Sequence, residues 1–108
     1  MMSSKNSSNW VRKRILEELY DFYNIVIERC WLDRAILLKY LNVSEELLDS
    51  NILYLEEKKL VDLRRDHDSV FQNAVITAYG IDVIERKDKY AHEFPFLNID
   101  IQEKKGDV

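Results

Sequence analysis

Residues that make tight turns or covalent chemistry are almost missing from this chain. Two glycines and one proline among 108 residues exclude a turn-rich all-β architecture and favour long helices. One cysteine, Cys30, excludes an internal disulfide and fits a reducing compartment. Set in the apolar run Cys30-Trp31-Leu32, that thiol reads as a small core residue rather than a nucleophile. No stretch approaches the roughly 18 uninterrupted apolar residues of a membrane span. The polar start Met-Met-Ser-Ser-Lys-Asn-Ser-Ser is not a signal sequence. These absences lead to the expectation of a soluble, cytoplasmic protein with no membrane partner. Basic excess is missing too. Sixteen Lys and Arg against 20 Asp and Glu give a formal charge of -4. That balance argues against a generic polyanion binder while leaving room for a local basic patch.

What is present is apolar periodicity. At 46% hydrophobic, the chain has material for one real core, and its length fits one domain. The organising stretch runs from Leu32 to Leu60. Asp33 is placed to cap a helix in which Ala35, Leu38 and Leu41 recur three apart, over about 33–41. Asn42-Val43 breaks the run. Ser44 caps the next helix, about 44–58, with Glu45 and Glu46 where the helix dipole favours negative charge. There Leu48, Ile52 and Leu55 form the inward stripe. Helix, short turn with Val43, capped helix is helix-turn-helix grammar.

Before this stretch, residues 1–8 read as flexible, and a first helix runs from Ser8 or Asn9 to about Arg29. Val11, Ile15, Leu19, Phe22 and Val26 form its stripe, with Trp10, Tyr20, Tyr23, Ile25 and Ile27 around it. That is more apolar surface than one face needs, so either a later segment or a second copy of the chain covers the rest. Cys30-Trp31-Leu32 suits a small strand. After Leu60 the period changes to two: a strand over 60–64, a polar loop through Asp66-His67-Asp68-Ser69, and a strand over 74–76 make a hairpin. Thr77 caps a fourth helix over about 78–92, which tolerates Gly80 if that turn approaches the hairpin closely. Pro95 stops it. The tail, 93–108, alternates over Phe96–Gln102 and is expected to be extended, with a strand pattern.

Two phrases resemble the winged helix-turn-helix family, especially small archaeal and bacterial regulator-like proteins. One is Asn42-Val43-Ser44-Glu45-Glu46-Leu47-Leu48 followed by Tyr54-Leu55-Glu56-Glu57-Lys58-Lys59-Leu60-Val61, similar to the family's "YLEEKGLV". The other, Ile76-Thr77-Ala78-Tyr79-Gly80-Ile81-Asp82-Val83-Ile84-Glu85, is similar to "ITPKGIDYLE". Lys59 stands where relatives usually carry Gly, and Ala78 where many carry Pro. The terminal Phe96-Leu97-Asn98-Ile99-Asp100-Ile101 also looks like the link that in some relatives leads into a further tail. The resemblance implies a mainly α (α+β) fold. It comprises a three-helix core, a wing hairpin of two to three strands and an extra C-terminal helix, with the domain over 9–92. It also implies a DNA-binding transcriptional regulator, and a homodimer through the first and C-terminal helices is the expected assembly.

Checked residue by residue, that implication is uneven. The outward set on the third helix is Glu45, Glu46, Asp49, Ser50, Asn51, Leu53, Tyr54, Glu57 and Lys58. Ser50, Asn51 and Tyr54 are the candidate readers of double-stranded DNA, Asn51 being suited to adenine. The carboxylates beside them have the wrong sign for phosphate. Grip must therefore come from Arg64 and Arg65 at the wing and from Arg12 and Lys13 on the first helix. The acidic third helix supports a second reading, a winged-helix module that holds a protein partner and no DNA. Asp66-His67-Asp68 cannot all point at one ion, His92 stands alone, and no catalytic set or phosphate loop is present. The expectation is a protein that is not an enzyme and needs no cofactor or metal.

Overall fold

The computed structural model describes residues 7–26 and 30–99. Within them the chain is mainly helical with a small antiparallel sheet. Its order is α1 (Ser8–Val26), β1 (Leu32–Asp33), α2 (Arg34–Leu41), α3 (Glu45–Glu57), β2 (Val61–Arg64), β3 (Asn73–Ile76), α4 (Ala78–Glu85), α5 (Lys87–Tyr90) and a 3₁₀ turn, η1 (Pro95–Asn98). Of the segment 1–8 expected to be flexible, Ser8 already begins α1 and residues 1–6 lie outside the described residues, as do the end of the first helix at 27–29 and the tail from 100 onward.

α1 is the hub. It packs against α2, α3, α4, β3 and η1. Its first half is enclosed on nearly every side: Trp10, Val11, Lys13, Arg14, Ile15, Leu16 and Leu19 are all buried. The excess of apolar surface on this helix is thus met by a later segment of the same chain. Phe94, Phe96 and Leu97, on and beside η1, are buried in the common core. The second half is less covered, and Ile25 is 75% exposed.

α2 and α3 meet at a turn whose chemistry is local. Asn42 takes the left-handed conformation (φ 56°), and its N–H donates to Leu38 O at 2.8 Å. Asparagine tolerates that region better than other non-glycine residues. Ser44 caps α3 as expected, its hydroxyl accepting from Leu47 N at 3.1 Å. Asp33 occupies the cap position of α2 but makes no cap bond. Its carboxylate is drawn instead to Asn73 Nδ2 at 2.6 Å, because β1 pairs with β3 and sets Asp33 opposite Asn73.

The sheet order is β1-β3-β2, antiparallel throughout, with β3 in the centre. β2 and β3 form the hairpin, Val61 opposite Ile76 and Arg64 opposite Asn73. The central strand is the most apolar: Ala74, Val75 and Ile76 are all buried. Beyond β3, Thr77 joins the sheet to α4. Its hydroxyl accepts from Gly80 N at 2.9 Å and lies 2.8 Å and 3.0 Å from Lys59 O and Leu60 O, to which it donates. Gly80 is there because of that approach. A Cβ at this position would collide with the Leu60 carbonyl oxygen and lie 2.7 Å from Ile76 Cγ1.

Two expectations about the C-terminal part are corrected. The fourth helix is not continuous to residue 92. It ends at Glu85, and Arg86 (φ -122°, ψ 56°) turns the chain into the single turn of α5. The apolar pattern that anchors α4 through Val83 and Ile84 has no continuation on Lys87, Asp88 and Lys89, which are exposed. Nor is the start of the tail a strand. Pro95–Asn98 is a 3₁₀ turn, with Leu97 N bonded to Phe94 O and Ile99 N to Phe96 O. Alternation in Phe96–Gln102 promised a pleated strand; burial of the consecutive pair Phe96 and Leu97 favours the turn instead.

Candidate nucleic-acid interface

The seven residues proposed for DNA contact start from different elements and do not end on one surface. Asn51 is the clearest departure. It was placed on the outward side of α3, but it is 2% exposed. Its position explains this: it follows Leu48 by three and precedes Leu55 by four, so it falls on the buried stripe. Its amide nitrogen donates to Leu47 O at 2.8 Å, and its oxygen accepts from Arg12 Nε at 2.9 Å. Asn51 is therefore a core polar group satisfied on both sides, not an adenine reader.

Arg12 is committed by the same bond. Its guanidinium also stacks 3.6 Å over the ring of Tyr54, a contact worth about 0.5–2 kcal/mol depending on desolvation. Arg12, Asn51 and Tyr54 thus form one knot between α1 and α3. Lys13, expected to face phosphate, is 7% exposed. Its ammonium donates to Leu97 O at 3.3 Å and also to Ile99 O. Arg14, next in the same basic run, is buried beside Glu18, with a 2.6 Å ion pair. The basic start of the first helix is spent inside the fold.

At the hairpin the two arginines part. Arg65 makes a two-pronged pair with Glu56 of α3, at 2.8 Å and 3.2 Å. Arg64 is exposed and stacks 4.2 Å over the half-buried Trp31 ring. It has no carboxylate partner among the described residues. Ser50 is exposed on α3 and Tyr54 half-buried.

α3 carries five carboxylates outside its buried stripe, Glu45, Glu46 and Glu57 exposed and Asp49 and Glu56 half-buried. Glu45, Asp49 and Glu56 share one stripe, with Glu46 and Glu57 beside it. Two arginines from flanking elements lie against this stripe. Arg65 holds Glu56. Arg34, at the start of α2, grips both oxygens of Asp49 at 3.1 Å and 2.9 Å and reaches Glu45 at 3.2 Å. The bonds to Asp49 hold the Arg34 proton more firmly still. Lys58 and Lys59 are exposed where the helix ends. No sequence signal exposes this pairing, because Arg34 and Arg65 come together on α3 only through the turn and the hairpin.

The hairpin tip is a closed turn. Asp66 Oδ1 accepts from Asp68 N, Ser69 N and Ser69 Oγ at 2.9–3.0 Å. The Ser69 bonds hold its carboxyl below the ordinary carboxylate range. Among the described residues no group of three or more His, Cys, Asp or Glu is placed to hold a metal ion, and no helix is long and apolar enough to cross a membrane.

Comparisons with family models, with curated proteins and with solved structures found no match to this chain.

Proposed function

We propose that the chain is a winged-helix domain without enzymatic activity, working as an interaction module that holds a protein partner of basic surface against α3. Support for the fold part is topological. Two helices joined by a short turn are followed by an antiparallel hairpin, and the strand before them pairs with the hairpin's second strand. The observation that carries the functional part is the commitment of the expected phosphate grips. Arg12 and Lys13 are bound within the fold, Arg65 pairs with Glu56 while half exposed, and Asn51 is buried. The carboxylates on α3 that keep no arginine partner among the described residues are Glu46 and Glu57, exposed on either side of Ser50, and their sign repels a nucleic acid and attracts a cationic surface.

DNA binding as a transcriptional regulator is the second reading. Arg64 favours it, exposed at the hairpin over Trp31. Anisotropy of the full chain with random duplex DNA near 20 mM salt separates the two. The interaction reading expects no binding. Affinity that falls steeply with salt and is lost in Arg64→Ala would establish the DNA reading instead. Crosslinking in extract of the native host supplies the positive arm. A Glu45→Arg, Glu46→Arg double variant should lose its partner, while Arg64→Ala keeps it.

Assembly is part of the same proposal. A homodimer through the first and C-terminal helices has less surface to bury once Phe94, Phe96 and Leu97 are inside one chain's own core. We expect sedimentation velocity to give a monomer at micromolar concentration. A dimer broken by Ile25→Glu would restore the dimeric reading.

A further inference from the structure

Arg34 joins three elements. It opens α2, and its backbone N–H donates to Gln72 O, at the return of the hairpin, at 3.0 Å. Its guanidinium holds both oxygens of Asp49 on α3 at 3.1 Å and 2.9 Å and reaches Glu45 at 3.2 Å. The same guanidinium lies 5.8 Å from the centre of the Phe71 ring. Phe71 is in the core, and Gln72 beside it is exposed. Main chain and side chain of one residue thus tie the α3 carboxylates to the hairpin. The Arg34 and Asp49 side chains are 18% and 19% exposed. That shelters a two-pronged bond enough to fix its geometry, yet leaves it within reach of a competing cation from outside.

We propose that Arg34 is a relay between α3 and the hairpin: it occupies the place on Glu45 and Asp49 that a partner's cation would take, and yielding that place loosens its main-chain bond to Gln72. The relay rests on the reading of α3 as the face that holds a basic protein partner. Glu45 is the point of entry. It is the exposed one of the two carboxylates that share Arg34, so an incoming lysine or arginine can bind it first and then compete for Asp49. Phe71 stays in the core throughout; the change is confined to the junction between α2 and Gln72. The coupling is reciprocal. A contact that tightens this junction also holds Arg34 on Asp49 and weakens the partner.

Hydrogen exchange of the intact chain, with an NMR titration by hexalysine at low salt, tests this. In Asp49→Asn, a change confined to α3, the amide at position 34 should exchange roughly threefold faster or more, with Ile52 and Val75 in the interior unchanged. Arg34→Met should do the same. The double variant should be no faster than Arg34→Met, because Asp49 reaches that amide only through the Arg34 side chain. An unchanged amide at position 34 in Asp49→Asn, equal acceleration at all three amides, or additive effects would each overturn the relay. Hexalysine should shift Glu45 and Asp49 and, in the wild type, Gln72 with them. It should bind Arg34→Met roughly two- to fivefold more tightly, the range an ion pair near the surface implies, and leave Gln72 unmoved there. Shifts at Glu45 and Asp49 that never reach Gln72 in the wild type count against the relay alone. No shift at Glu45 or Asp49 overturns the docking reading on which the relay rests.

Discussion

Asn51 shows how one residue's role turns on its neighbours. As a polar residue near the start of a recognition-like helix it has the chemistry of a base reader. Placed on the buried stripe it becomes the acceptor that fixes Arg12 against α3. Asn51→Ala should cost about 1–3 kcal/mol of stability, the penalty of a buried polar partner left unmatched, measured by urea unfolding. A DNA-reading residue would instead leave stability near the wild type. Gly80 is constrained by a different contact. Gly80→Ala must push the new methyl against the Leu60 carbonyl and Ile76, so the expected loss is about 1–3 kcal/mol even though alanine is the better helix former. Asp66 gives a pH marker. Its pKa is depressed by the Ser69 bonds, so the turn's contribution is complete at neutral pH. It is lost only as the pH falls through the depressed value, below the ordinary carboxylate range. An NMR titration should place the midpoint of Asp66 below that of an ordinary aspartate, and Ser69→Ala should move it back up.

At the scale of elements, caps and turns were legible residue by residue. Ser44 and Thr77 cap α3 and α4 as their sequence positions imply. Their information is local, one side chain bonding an amide three residues on. Asp33 had the same local credentials and failed, because β3 places Asn73 opposite it and a strand partner is not written beside it in the chain. Lys59 carries a second element-scale signal. Its φ is 70°, in the left-handed region that favours glycine. Lys59→Gly should relieve the left-handed strain and raise stability by about 0.5–1 kcal/mol, visible as a higher Tm. Thr77→Ala should do the reverse and cost more than Ser44→Ala. Thr77 ties α4 to the Lys59–Leu60 turn as well as capping the helix, whereas Ser44 only caps.

For the whole molecule, the decisive fact is that the first half of α1 is interior. Its apolar excess was plain in the sequence, and so were the two ways of covering it. Core formation with Phe94, Phe96 and Leu97 chose the intramolecular one over that part of the helix. The same enclosure took Lys13 and Arg14 out of solvent, which alters the surface charge available to any partner more than composition suggested. The sequence by itself determined the first three helices, the Ser44 and Thr77 caps, the hairpin and the mainly α class, because periodicity and capping are short-range properties of a chain. Only the tertiary structure decided which cations remain outside. Arg12, Lys13, Arg34 and Arg65 find their partners across 9 to 86 residues of sequence, and a charge is free or spent only once the fold has brought those partners together.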